Sequence, residues 1–218
     1  MAVLGACPAV RLALLVMRHG QDAVVHAAAG GDDGQVRSLL ASGALDVHHR
    51  GDMALRCAAA AGEAATVRAL IEQGADVHAT RDAALRSSAA LGLCHIVALL
   101  LEAGADPHAE EDDALRLAAA GGHTETVTAL LLAGADVHAQ RESALHSAAG
   151  AGHEDVVRVL LSNGADAGAS ALPLCAAVRG GHARIAGWLV AAGAGAHLDV
   201  AARVADVSGM PRYAPMAE

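Results

Sequence analysis

A repeat of 30 residues is the feature that most constrains how this 218-residue chain folds. Two short motifs recur with that spacing, the tripeptide Gly-Ala-Asp and the leucine of an Ala-Leu pair. They begin or lie at Gly74, Gly104, Gly134 and Gly164, and at Leu55, Leu85, Leu115 and Leu145. Because separate features share one period, the sequence predicts an array of equivalent units rather than one irregular domain.

The hydrophobic pattern inside one unit, residues 140–169, predicts two short helices. Leu145 and the alanines at 148–149 have the i, i+3, i+4 spacing of one helix face. After two glycines, the valines and leucines of 156–161 form a second such face. Gly164 follows at the place where a left-handed residue commonly ends a helix. Each unit is therefore predicted to be a helix, a tight turn, a second helix and a loop.

Units of this size must stack, because two short helices cannot bury their own apolar faces. Apolar residues make up 54% of the chain but aromatic residues only 1%, so the core must be aliphatic. Runs of small residues allow the first helices of successive units to approach closely, and larger aliphatic residues of the second helices pack behind them. These runs lie at 58–59, 88–90, 118–120 and 148–149. The predicted fold class is an all-α, elongated solenoid.

The repeat resembles the ankyrin repeat. The segments SALHSAA, GH, VV, LL and GAD follow one another across residues 143–166, and LPLCAA at 172–177 keeps a Pro-Leu pair. The resemblance covers about residues 22–195. Ankyrin units have about 33 residues, whereas these have 30. The missing residues fall where the family has a β-hairpin finger, so short loops are expected in place of long fingers.

The repeat divides the chain into six helix-turn-helix units with irregular ends. Residues 1–21 are predicted to form a degenerate N-terminal capping helix, with a targeting leader as the alternative, and 198–207 a C-terminal capping helix. Residues 208–218 are predicted to be a flexible tail. The predicted array spans 22–197, with units at 22–49, 50–79, 80–109, 110–139, 140–169 and 170–197.

Charge and hydropathy narrow the classes of partner. A formal net charge of −9 disfavours nucleic acid, which requires a basic surface. The longest apolar stretches, 2–17 and 185–196, are interrupted by a charge or too short to span a bilayer, so no membrane segment is predicted. The cysteines are scattered and read as buried, reduced thiols, which favours an intracellular, cytoplasmic protein. They are Cys7, Cys57, Cys94 and Cys175.

The resemblance implies that a partner protein binds at the loop tips and the exposed side of the first helices, on a concave surface. Residues at these positions differ from unit to unit, while the scaffold positions repeat. The expected partner-binding residues are Thr80, Arg81, Arg86, Leu91, Glu110, Glu111, Arg116, Gln140 and Arg141.

Acidic and basic residues four positions apart suggest a ladder of ion pairs near these loops. Each pair would face across one helical turn. Either the arginines merely order the helix starts, or Arg86 and Arg116 anchor a partner, since arginine is enriched at interface hot spots. The pairs are Asp52–Arg56, Asp82–Arg86 and Asp112–Arg116, echoed by Glu142–His146.

The histidines do not predict a metal site. His78 and His108 occupy the same position in successive repeats, where stacked helices lie ~8–10 Å apart, too far to share one ion. His123, His153 and His182 open second helices, where an imidazole can hydrogen-bond the preceding loop. Only the adjacent pair 48–49 merits a metal titration. No cofactor or metal is predicted.

One segment suggests a different function. Residues 14–21 resemble the histidine phosphatase signature, in which Arg18 would bind phosphate and His19 would attack it ahead of Gly20. That chemistry needs an α/β fold with further arginines and a second histidine, which the helical repeats do not supply. The prediction is therefore a non-catalytic, monomeric protein–protein interaction scaffold. The alternatives are a phosphatase using this segment and a substrate-recruiting adaptor of a ubiquitin ligase.

Overall fold

The computed structural model describes residues 20, 22–42 and 46–207 of the chain. Within them the regular structure consists of six helix pairs, one 3₁₀ helix and one further α-helix, without a strand. The first helices are α1 Asp22–Ala29, α3 His49–Ala61, α5 Ala79–Ala90, α7 Ala109–Gly121, α9 Ala139–Ala151 and α11 Leu172–Arg179. The second helices are α2 Asp33–Ala41, α4 Ala64–Glu72, α6 Cys94–Glu102, α8 Thr124–Leu132, α10 Glu154–Ser162 and α12 Ala183–Ala191. The 3₁₀ helix Ala194–His197 and α13, Leu198–Val207, follow.

Two compact units make up the chain, and each is built in the same way. The first comprises the described residues up to Ser88 together with His95–Asp106, and the second comprises Ala89–Cys94 and the described residues from Pro107 onward. In the first unit α1 packs on α3 and α2 packs on α4. In the second, α7, α9, α11 and α13 pack in succession, and so do α8, α10 and α12. Like helices thus pack on like helices within each unit.

The core is aliphatic and follows the repeat, as predicted. Leu145 of α9 and Leu160 of α10 are fully buried, and so are Ala148 and Ala149 between them. The alanines of α7 and α9 are small enough for these two helices to lie side by side, and the longer side chains of the second helices fill the space behind. The prediction of an all-α fold of stacked helix pairs is confirmed for the described residues.

Short left-handed turns connect the repeats, which confirms the prediction of short loops. In four of these loops three consecutive residues have φ between 49° and 64°, although only one of the twelve is glycine. A left-handed conformation costs an L-residue about 1–2 kcal/mol, so packing and hydrogen bonds must hold these turns in place. The turns lie at residues 50–52, 80–82, 110–112 and 140–142.

Capping helices at both ends and a C-terminal tail are predicted to flank the repeats. Helix α13 follows the last helix pair and packs on α11. The N-terminal capping helix predicted for 1–21 and the tail predicted for 208–218 lie outside the described residues, apart from Gly20. The division into capped repeats stays a prediction.

Candidate functional site

The predicted partner-binding loop residues lie at the exposed ends of the left-handed turns. We call the first two residues of each turn the loop tip. The first unit has two tips, Arg50–Gly51 and Thr80–Arg81, and the side chains of Thr80 and Arg81 are exposed. The second unit has two exposed tips, Glu110–Glu111 and Gln140–Arg141.

The two tips of the second unit contact each other. The Gln140 side-chain amide donates to the backbone carbonyls of Glu110 and Glu111, at 3.3 Å in each case. Glu111 and Arg141 occupy equivalent places in the two turns, and both project to solvent. The fold therefore presents an acidic and a basic group on neighbouring tips, with a glutamine between the two turns.

A buried carboxylate closes three of the turns. Asp52, Asp82 and Asp112 end their turns and are 3–6% exposed. Each accepts a hydrogen bond from the Nδ1 of the histidine four residues earlier, at 3.2 Å. Each also accepts a backbone N–H from the next loop, 24 residues later, at 2.7–2.9 Å. The carboxylate thus fixes its own turn and couples it to the following loop.

The fourth turn ends in glutamate and is held differently. Glu142 is 2% exposed, and its Oε1 lies 2.6 Å from His138 Nδ1. Its Oε2 is buried without a hydrogen-bond partner, and the backbone bond found in the other three turns is missing. The hydrogen bond to Glu142 raises the pKa of His138, and the carboxylates of Asp136 and Asp166 add to this effect, while desolvation opposes it.

The predicted ladder of Asp–Arg ion pairs is wrong. The left-handed turn rotates Asp82 and Asp112 away from the helix face on which the arginines lie, so they bond to histidines instead. Arg116 pairs with Asp113, with Nε 2.9 Å from Oδ1. Arg86 donates to the backbone carbonyl of Arg81, at 3.2 Å. Both arginines are half-buried.

Leu91 is the remaining predicted binding residue. It directly follows α5 and is 54% exposed. Single exposed leucines are common on protein surfaces, so exposure alone does not identify a binding residue. Leu91 is assigned to the predicted site only because it follows the end of a first helix.

His123, His153 and His182 open second helices as predicted, but their rings do not bond to the preceding loop. Each Nε2 lies 3.0–3.2 Å from a backbone carbonyl at the end of the first helix of the previous repeat. Close approach of each ring requires a glycine: a Cβ at Gly122 or Gly152 would lie within 2.5 Å of the facing imidazole. These histidines connect consecutive repeats, which explains them without a metal.

No group of three metal-ligating side chains occurs among the residues that the structure describes. His48 and His49 face different acids, Asp52 at 3.2 Å and Asp22 at 2.9 Å. The adjacent pair is thus committed to two separate contacts.

The predicted buried thiols are only partly confirmed. Cys175 is buried, and burial raises the pKa of its thiol, with Arg179 opposing the shift. Cys57 and Cys94 are half-buried, and all three are free thiols. Cys7 lies outside the described residues.

Sequence reasoning missed a cluster on the second helices of the second unit. Two guanidinium groups lie near the ring of Trp188 in α12, with Arg184 at 5.3 Å and Arg158 at 5.9 Å from the ring centre. Arg184 also forms an ion pair with Glu154 of α10, at 2.8 Å. The contacts link α10 to α12. The i, i+4 spacing of Arg184 and Trp188 was the available signal, but Arg158 comes from another repeat.

A family model of ankyrin repeats matches the chain in three overlapping copies, at residues 24–111, 83–171 and 115–203. Together these matches cover well over half of the sequence. The chain belongs to the ankyrin repeat family. A comparison with curated proteins finds no matching sequence. Ankyrin repeats are in general protein–protein interaction modules, and the family is typically non-enzymatic.

Arg18 and His19 of the phosphatase-like segment lie outside the described residues. The test of the phosphatase hypothesis is therefore an assay of phosphatase activity with His19→Ala as the control.

In the described part of the chain, no helix has both the length and the apolar character needed to cross a bilayer.

Proposed function

We propose that this ankyrin array is a non-catalytic scaffold that binds a partner protein at its loop tips and along the adjacent first helices. In this proposal the binding surface is the concave, loop-edge side that the family uses, and the chain acts as an intracellular monomer without cofactor, nucleic acid or membrane. The six-repeat division of the sequence analysis is part of the proposal. The residues proposed to bind are Thr80, Arg81 and Arg86 in the first unit, and Leu91, Glu110, Glu111, Arg116, Gln140 and Arg141 in the second.

One observation carries the proposal: residues other than glycine occupy the loop tips, although their left-handed backbone conformation is unfavourable and their side chains are exposed. Glu111 and Arg141 are equivalent to Gly51, which has a similar positive φ. Glycine adopts this conformation without steric cost, so Gly51 demonstrates that the turn accommodates the cheaper residue. A strained residue whose side chain contributes no packing points to a role for that side chain outside the fold.

Charge on the tips suits a polar, charge-matched interface. Glu111 and Arg141 form no ion pair within the second unit, so their charges are available to a partner. At interfaces of this kind, charge complementarity contributes more to specificity and to the rate of association than to affinity. Reversing the two charges should therefore remove binding without a loss of folding.

A double charge exchange tests the proposal. Glu111→Arg with Arg141→Glu reverses both tips and keeps the net charge constant. The matched control, Arg68→Glu with Glu102→Arg, makes the same exchange at exposed positions on second helices. Affinity capture from a native lysate should lose its partners with the tip exchange and keep them with the control. Partners retained by the tip variant, or lost equally from both, would exclude the tips as the binding surface.

A further inference from the structure

The second unit contains two turns of the same shape that differ in how their carboxylates are held. Asp112 has two donors, His108 Nδ1 at 3.2 Å and the backbone N–H of Asp136 at 2.7 Å. Glu142 has one donor, His138 Nδ1 at 2.6 Å, and its second oxygen has no partner. Asp112 keeps a backbone N–H donor that never titrates, whereas Glu142 depends entirely on the imidazole of His138.

Longer reach explains the difference. Glutamate has one methylene group more than aspartate, so its carboxylate extends past the point at which Oδ1 of Asp112 meets the next loop. The backbone N–H of Asp166 is accordingly not bonded to Glu142, although it corresponds to that of Asp136, which bonds to Asp112. The 98% buried Glu142 charge is therefore compensated only by His138.

A buried carboxylate with no cation beside it is expensive, because a lone charge loses its hydration without a compensating partner. The charged groups that face His138 are Glu142 and Asp136 of its own loop and Asp166 of the following loop. All three are acids, so they favour the protonated ring. His138 is itself more than half exposed, and its proton exchanges freely with solvent.

The backbone between these two residues stores the energy that opening would release. Gln140, Arg141 and Glu142 have φ of 49°, 58° and 64°. The His138–Glu142 contact spans this segment and holds it closed together with the bonds from the Gln140 amide to the carbonyls of Glu110 and Glu111. When the contact weakens, relaxation of the three residues and hydration of the carboxylate both favour an open loop.

We propose that the loop carrying Gln140 and Arg141 is a pH-gated element: the His138 imidazolium holds the Glu142 carboxylate and keeps the loop closed, and loss of its positive charge weakens this contact and releases the loop. The loop carrying Glu110 and Glu111 is not gated, because its carboxylate keeps a backbone donor at every pH. Under the proposed function, Arg141 would be presented to a partner in fixed geometry only at lower pH. That consequence rests on the proposed function, whereas the gate itself does not.

Backbone order parameters of the isotope-labelled full chain test the gate without any partner. For the amides of Gln140 and Arg141 we expect values near 0.85 at pH 5.5, falling below about 0.6 at pH 8.5. The midpoint should coincide with the titration of the His138 ring, followed in the same samples. The amides of Glu110 and Glu111 should stay near 0.85 throughout, as an internal reference.

Two variants separate the gate from general loosening. Glu142→Asp gives the fourth turn the side chain of the third, so its order should become independent of pH. His138→Gln cannot titrate, so its loop should be mobile at both pH values. Order that is constant with pH in the wild type, a parallel change in both loops, or a pH dependence that persists in Glu142→Asp would each overturn the proposal.

Discussion

At the scale of single residues, the buried acids at the ends of the turns connect the repeats. Asp112 joins three chain segments: its own turn, the histidine before it and the loop of the next repeat. A buried carboxylate is tolerated only with such partners. Asp112 therefore both fixes the course of the loop and stabilises it.

Glu142→Asp is expected to stabilise the protein by about 1 kcal/mol at neutral pH, the usual net contribution of one intramolecular hydrogen bond. The shorter side chain should accept the backbone N–H of Asp166, as Asp112 accepts that of Asp136. Urea denaturation measures the change as a higher midpoint with an unchanged slope. The reverse exchange, Asp112→Glu, should lower stability by a similar amount, and a gain in that variant would contradict the argument.

Sequence reasoning assigned these acids to the wrong partners. The i, i+4 rule that pairs Asp112 with Arg116 holds for a right-handed helix, but residues 110–112 are left-handed. The same spacing in the other direction, from His108 to Asp112, was present in the sequence at four successive repeats, with glutamate as the acid in the last. Since the two patterns have equal spacing, only the handedness of the turn distinguishes them.

At the scale of helices and turns, glycines with positive φ have two different roles. Gly122 ends α7 and lies under the imidazole of His153, where a Cβ would approach Nδ1 to 2.5 Å. Gly134 follows α8 with φ of 98° and has nothing within 4 Å of a Cβ. The first position demands both a left-handed backbone and empty space, whereas the second demands only the backbone.

Alanine substitution should separate these two requirements. Gly134→Ala is expected to cost about 1–2 kcal/mol for the left-handed backbone alone. Gly122→Ala should cost a further 1–3 kcal/mol or so, because His153 must move and lose its bond to the carbonyl of Ala120. Thermal unfolding of both variants measures the difference. Equal losses would mean that the close approach of the ring is unimportant.

At the scale of the whole molecule, each repeat depends on its neighbours in the chain. Leu145 is fully buried, and its helix, α9, packs on α7, α10 and α11. In a repeat array, stability is close to a sum of terms for single repeats and for adjacent pairs. A defect should therefore weaken the nearest repeats most.

Leu145→Ala is expected to cost about 2–5 kcal/mol through the cavity that it leaves. Hydrogen exchange should show the largest loss of protection in α9 and α10, then in the helices that pack on them, with little change in α1 and α3. Leu55→Ala, at the equivalent position of α3, is the matched control and should give the opposite distribution. Uniform loss along the chain in both variants would show that the array unfolds as one unit.

The sequence by itself determined the repeat length, the two helices of each unit, the alanine layer and the short loops. These features depend on local propensity and on the period with which apolar residues recur, and both can be read from the order of residues. Tertiary structure alone decided the partners of Asp52, Asp82, Asp112 and Glu142, the handedness of the turns and the contact of Trp188 with two arginines. Such contacts join residues of different repeats or depend on backbone handedness, which a helical spacing rule does not contain.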